Sequence, residues 1–206
     1  NVITRNDSPD VSFARSINPY RGCEHGCVYC FARPTHAYLG LSPGLDFESK
    51  LFAKPDAPQL LEKELAAQDY EPRMIAIGTN TDPYQPIERD YKIMRGILEV
   101  LDKAGHPVGI VTKSALVTRD IDILARMSER GLARVAMSIT TMDKVLARRM
   151  EPRAAPWQVS DAPEAFGAMV DGVQAGHDRQ QNLRGTDVRR GLLAPDVLLS
   201  GLQCQA

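Results

Sequence analysis

Three cysteines, Cys23, Cys27 and Cys30, fall within eight residues in the order C-x3-C-x2-C, on the segment Cys23-Glu24-His25-Gly26-Cys27-Val28-Tyr29-Cys30. Thiolates are the ligands that hold iron–sulfur clusters. Three of them on one loop can point at three corners of a cubic cluster, leaving the fourth iron without a protein ligand. A small molecule can bind such an iron directly, so the open corner is where chemistry would take place. A second reading is a structural zinc ion bound by the three cysteines with His25 or His36 as fourth ligand. Zinc modules more often pair C-x2-C with a second, distant pair, and the spacing here favours the cluster. His25 then becomes a loop residue packed beside the site. The remaining cysteine, Cys204, lies near the C-terminus with neither a base nor a second ligand close in sequence, and is read as incidental. Three clustered thiols and one remote one do not make a disulfide framework.

The elements that must position this loop alternate regularly. Residues 12–20 are extended and run into Arg21-Gly22 and the cysteines. Residues 58–68 place Leu60, Leu61 and Leu65 on one helical stripe, with Pro58 suited to the first turn. Met74 to Gly78 is a short apolar run of the kind buried on both faces of a sheet. A second helix is expected over 90–104, with Ile93, Ile97, Val100 and Leu101 inward and Gly105 as its stop signal. Val108 to Thr112 is the next strand. A helix over 119–130 follows, carrying Ile121, Leu124 and Met127, and then a strand over 133–139. Strands alternating with helices of this length predict parallel pairing, an α/β fold and a site at the C-terminal strand ends. Four strand-like segments before residue 140 suit an open or partial (β/α) barrel rather than a closed eight-stranded one.

The 206 residues are 43% apolar and 25% charged, the composition of an ordinary globular chain, with a formal net charge of −1. That balance provides no field to attract nucleic acid or an anionic membrane. No apolar run reaches the length of a membrane span and no signal-peptide pattern is present, so a cytoplasmic location is expected. After Trp157 the composition changes. Every lysine lies at or before Lys144 and every isoleucine at or before Ile139, and the alternation stops. Two segments are therefore expected: a core over 1–157 and an atypical tail over 158–206, the product of a shifted reading frame or a similar truncation.

With Asn18-Pro19-Tyr20-Arg21-Gly22 leading into the cysteines and the aromatic Tyr29 before the third, the chain resembles the radical S-adenosylmethionine (SAM) superfamily. Ala32-Arg33-Pro34-Thr35-His36, the stretch Gly78-Thr79-Asn80-Thr81-Asp82-Pro83-Tyr84-Gln85-Pro86-Ile87-Glu88, and Met150-Glu151-Pro152-Arg153 are similar to the branch related to spore photoproduct lyase. Many members of that branch have no assigned substrate. The resemblance runs over residues 10–157 and implies a partial (β/α)6 barrel, incomplete here because the further strands of the family have no counterpart in 158–206. It implies a [4Fe–4S] cluster on Cys23, Cys27 and Cys30, with SAM chelating the open iron. An electron from the reduced cluster would cleave SAM to methionine and a 5′-deoxyadenosyl radical, and the radical would take a hydrogen atom from the substrate. An electron donor such as a flavodoxin or ferredoxin would be needed; nucleic acid enters as a partner by family analogy alone. By position, Thr79, Asn80 and Thr81 match the loop that meets the SAM amino group, although the usual paired glycines are missing; a plain polar turn is the other reading. Lys113 would pair with the SAM carboxylate and Ser138 with the ribose or carboxylate, each against the alternative of a solvated strand end. Tyr29 would cover the adenine or serve as core. Cys204 does not sit in a motif matching the additional catalytic cysteine of spore photoproduct lyase.

Overall fold

The computed structural model describes residues 1–11, 13–141 and 143–154. Its elements in chain order are β1 (Thr4–Arg5), β2 (Arg15–Ile17), β3 (Tyr20–Arg21), a 3-10 turn (Arg33–Leu39), α1 (Leu45–Ser49), β4 (Phe52–Ala53), α2 (Ala57–Leu65), β5 (Ile75–Ile77), α3 (Glu88–Tyr91), α4 (Ile93–Ala104), β6 (Val108–Thr112), a second 3-10 turn (Ala115–Asp120), α5 (Ile121–Glu129), β7 (Ala133–Met137) and α6 (Lys144–Met150). The main sheet has the order β1-β2-β5-β6-β7. β1 is antiparallel to β2, and every other neighbour is parallel. Strands that follow one another in sequence and in space form one wall of a (β/α) barrel, the α/β fold expected from the alternation.

The pleat decides which side the helices cover. Ile17, Ile75, Ile77, Val108, Ile110 and Met137 lie in one apolar cluster with Leu61 of α2, Ile97, Leu98 and Leu101 of α4, and Leu124 and Met127 of α5. Side chains one residue out of step face the other way. There Ser16, Ala76 and Gly109 stand opposite one another across three strands, and Val111 is 43% exposed. Each buried Leu or Ile on the helix side contributes roughly 1.5–3 kcal/mol.

The departures from the expected elements have local causes. The extended segment over 12–20 splits into β2 and β3 at Asn18-Pro19, because proline has no N–H to donate to a ladder. β3 pairs with β4 in a separate antiparallel ladder, Tyr20 opposite Ala53. The single helix expected over 90–104 is two, broken at Lys92, whose φ of 52° is left-handed. The break lets the buried Glu88 carboxylate accept the Met94 N–H at 3.1 Å in the first turn of α4. At the other end Gly105, with φ 62°, turns its N–H back to the Asp102 carbonyl, and the His106 N–H reaches the Leu101 carbonyl, as expected of a glycine stop. Of the three leucines expected inward on α2, Leu61 is buried, Leu65 packs against the core edge and Leu60 is 40% exposed. No described helix is long and apolar enough to cross a membrane. The tail over 158–206, with Cys204, lies outside the described residues.

Candidate metal centre

The cysteine loop leaves β3 and is held on all sides by backbone and polar contacts. Gly22 enters it at φ 80°, and a Cβ there would come within 2.8 Å of both the Phe47 carbonyl oxygen and Leu51 Cδ2. That close approach lets the Cys23 N–H donate to the Phe47 carbonyl at 2.9 Å. Arg33 donates through Nε and Nη2 to the Cys27 carbonyl, at 3.1 and 2.9 Å, and pairs with Glu48 at 2.5 Å. Cys23 and Cys27 are buried, Cys30 half-buried, and all three are free thiols. Burial pushes the Cys23 thiol up to about 12 and the Cys27 thiol up to about 11. Backbone N–H groups of Asp82 and His25 are directed at the Cys23 sulfur and partly offset that penalty. Such sulfurs become thiolates readily only when a metal neutralises them.

The loop after β5 is the brace. Gly78 has φ 88°, and a Cβ on it would strike the Val111 carbonyl oxygen of β6, so the chain turns there only as glycine. Asp82 then accepts from the Thr112 hydroxyl at 2.6 Å, the Lys113 N–H at 2.7 Å and the Tyr84 N–H at 2.9 Å, tying the loop to the end of β6. The buried His25 ring places Nδ1 3.5 Å from Asp82 Oδ2. Burial holds this imidazole below its ordinary pKa against the pull of Asp82. Gln85, fully buried, donates to the Gly22 carbonyl at 3.1 Å and accepts from the Glu24 N–H at 2.9 Å. Its amide therefore grips the backbone on both sides of Cys23. Gln85→Leu keeps the bulk and loses both bonds; it is expected to weaken iron retention by about 10- to 100-fold, read as iron content after anaerobic desalting.

The expected SAM-side residues fall into two groups. Tyr29, Lys113 and Ser138 come together: Lys113 Nζ is 2.8 Å from Ser138 Oγ and lies 5.6 Å from the Tyr29 ring centroid. Thr79 and Asn80 sit half-buried just past β5. Thr81 is buried and donates its hydroxyl to the Tyr20 carbonyl at 2.8 Å, anchoring the entry to the cysteine loop. His36 lies against Phe47, with ring centroids 5.0 Å apart, and its Nε2 is 3.0 Å from the Lys50 carbonyl oxygen. Sequence reasoning passed over Gln85 and Glu151. Glu151 pairs with Lys113 at 2.8 Å and accepts from the Tyr29 hydroxyl. Burial opposes its ionisation, but Lys113, Thr140 and Tyr29 together hold its carboxyl below the usual range. The only sequence signal was the placement of both residues in stretches that share a family pattern.

Among the described residues, no three His, Cys, Asp or Glu side chains converge as the ligands of one metal ion do. A cubane asks for something else, since each thiolate binds a different iron, and three free thiols on one loop with backbone N–H groups turned toward a sulfur fit that group.

The site and the parallel wall together define a class. The sequence profile of the radical SAM superfamily matches residues 17–173, and the chain belongs to that superfamily. Two relatives, each called an uncharacterized protein, are similar in sequence: one of Mycobacterium tuberculosis, 37% identical over 165 residues and covering 80% of this chain and 47% of the relative, and one of Methanocaldococcus jannaschii, 31% identical over 137 residues and covering 66% and 48%. The fold is similar to that of spore photoproduct lyase complexed with dinucleoside spore photoproduct, with a TM-score of 0.55 at 18% identity over 81% of this chain and 45% of that one. The chain spans about half the length of the proteins it matches.

Proposed function

We propose that the chain is the initiating half of a radical SAM enzyme, with a [4Fe–4S] cluster on Cys23, Cys27 and Cys30 and SAM at the adjoining ends of β5, β6 and β7. The observation that carries this reading is the placement of a three-thiol loop, braced by Gln85 and Asp82, beside the strand-end group of Tyr29, Lys113 and Ser138. When bound, the reduced cluster supplies the electron that cleaves SAM to methionine and a 5′-deoxyadenosyl radical, which removes a hydrogen atom from the substrate.

The chain's own residues hold and orient. Lys113 would take the SAM carboxylate, with Ser138 beside it for a second hydrogen bond to that group or to the ribose. Thr79 and Asn80 supply polar groups past β5 for the amino group. Tyr29, on the cysteine loop, offers an aromatic face to the adenine. An exogenous one-electron donor, such as a flavodoxin or ferredoxin, would supply the reducing equivalent. A zinc site built with His25 or His36 is less well supported, because His25 faces Asp82 and His36 faces Phe47 and the Lys50 carbonyl.

Anaerobic reconstitution with iron and sulfide, then addition of SAM and dithionite, tests the reading: a cluster absorption band and 5′-deoxyadenosine are expected. Zinc in place of iron, or no nucleoside from a loaded cluster, refutes it. Lys113→Met is expected to weaken SAM binding by about tenfold, the loss of one partly screened charge pair, with iron content unchanged; equilibrium dialysis reads both.

A further inference from the structure

Three donors from three separate segments converge on one oxygen. Glu151 Oε1 receives Lys113 Nζ at 2.8 Å from the end of β6, the Thr140 hydroxyl at 2.5 Å from beyond β7, and the Tyr29 hydroxyl from the cysteine loop. Lys113 Nζ is further supported by Ser138 Oγ at 2.8 Å and Thr140 Oγ1 at 3.2 Å. Glu151 is buried and Lys113 half-buried, with the exposed Tyr29 and Thr140 at the rim of the pairing. The arrangement is a carboxylate-binding subsite filled from within the chain.

Resting on the reading of Lys113 given above, we propose that Glu151 is an internal stand-in for the SAM carboxylate: it occupies that subsite in the ligand-free chain and must leave it when SAM binds. Two carboxylates cannot both sit on Lys113 Nζ at this spacing without like-charge repulsion. SAM therefore binds to the fraction of molecules in which Glu151 has withdrawn, and its apparent affinity is lowered by that fraction. The segment that must move is a strap across the cysteine loop. The Met150 carbonyl accepts the Val28 N–H at 2.9 Å, the Arg153 N–H donates to the His25 carbonyl at 3.2 Å, and Arg153 Nε donates to the Glu24 carbonyl at 2.5 Å. Withdrawal of Glu151 would thus be felt at the cysteine loop as SAM arrives.

The test titrates reconstituted wild-type and Glu151→Gln protein, matched for iron content, with SAM in anaerobic equilibrium dialysis. Glutamine keeps the shape and loses the charge on Lys113, so E151Q is expected to bind SAM about tenfold more tightly. Decarboxylated SAM brings no carboxylate to the subsite, and E151Q is expected to bind it no better than wild type does. Equal or weaker binding of SAM by E151Q, or an equal gain for the decarboxylated analogue, overturns the inference and leaves the proposed function standing. If neither protein binds SAM, the proposed function fails and the inference fails with it.

Discussion

Changing Cys23, Cys27 and Cys30 together to serine is expected to reduce iron and sulfide incorporation to background and to remove the visible absorption of the reconstituted protein. A serine hydroxyl is a harder and far less acidic ligand than a thiol and does not ionise at neutral pH to replace it. The three thiols are free and lie on one loop, and two of them are buried. Single substitutions grade the effect. Cys23→Ser acts at the position gripped by Gln85 and by the Phe47 carbonyl, and Cys30→Ser at the half-buried one. Iron and sulfide assays with an absorption spectrum read the result; a triple variant that still loads iron stoichiometrically would remove the basis for the proposed ligands.

The largest expected effect on stability is at Glu88. Its carboxylate is fully buried and accepts the Tyr20 hydroxyl at 2.5 Å, the Met94 N–H at 3.1 Å and Arg119 Nη2 at 2.7 Å. Arg119 continues to Asp120 at 2.7 Å, and the Tyr84 hydroxyl donates to Asp120 at 3.1 Å. Burial, followed by the Glu88 carboxylate, drives the Tyr20 hydroxyl far above its ordinary pKa, so it remains a donor. Glu88→Ala leaves Tyr20, Met94 and part of Arg119 without their acceptor in a water-poor interior. Breaking a buried charged pair by removing one partner costs about 3–5 kcal/mol, and urea unfolding should show a loss of that order. The exposed pair of Lys103 and Glu62, 2.8 Å apart, makes the control: Lys103→Ala is expected to leave the unfolding midpoint where it was. A Glu88→Ala protein as stable as wild type would mean that the network is ornamental to the fold.

What could be read beforehand follows from the range of each interaction. The apolar runs that became β5, β6 and β7 and the stripe that became α4 were legible because their periodicity is local and is repeated within each element. The cysteine spacing was legible for the same reason. The pairing of β3 with β4 was not, since a two-residue ladder has no period and its register depends on partners as far apart as Tyr20 and Ala53. Lys92 lay in the first turn of the helix expected over 90–104, and the capping of α4 by Glu88, seen in the structure alone, accompanies the break there. In the candidate site, Lys113, Ser138 and Tyr29 were picked out singly, but the carboxylate that joins Tyr29 to Lys113 lies 122 positions from Tyr29, and the family-like stretch that contains it does not reveal that pairing. Thr81 had two readings, a ligand contact by resemblance and a plain polar turn, and its hydroxyl holds the Tyr20 carbonyl; a hydroxyl past a strand end has no sequence mark that tells ligand from backbone.

The bonds made by Thr81, Asp82 and Gln85 share one feature: most of their partners are main-chain groups. A defect in the packing of α4 can be relieved by enlarging some neighbour, since side chains can be exchanged for one another. A defect at Gln85 has no such remedy, because every sequence carries the same amide at Gly22 and Glu24 and no second substitution can reshape it. The stretch from Gly78 to Glu88 should therefore resist suppressor mutations, and drift in it should be far slower than in the apolar core around which it is folded.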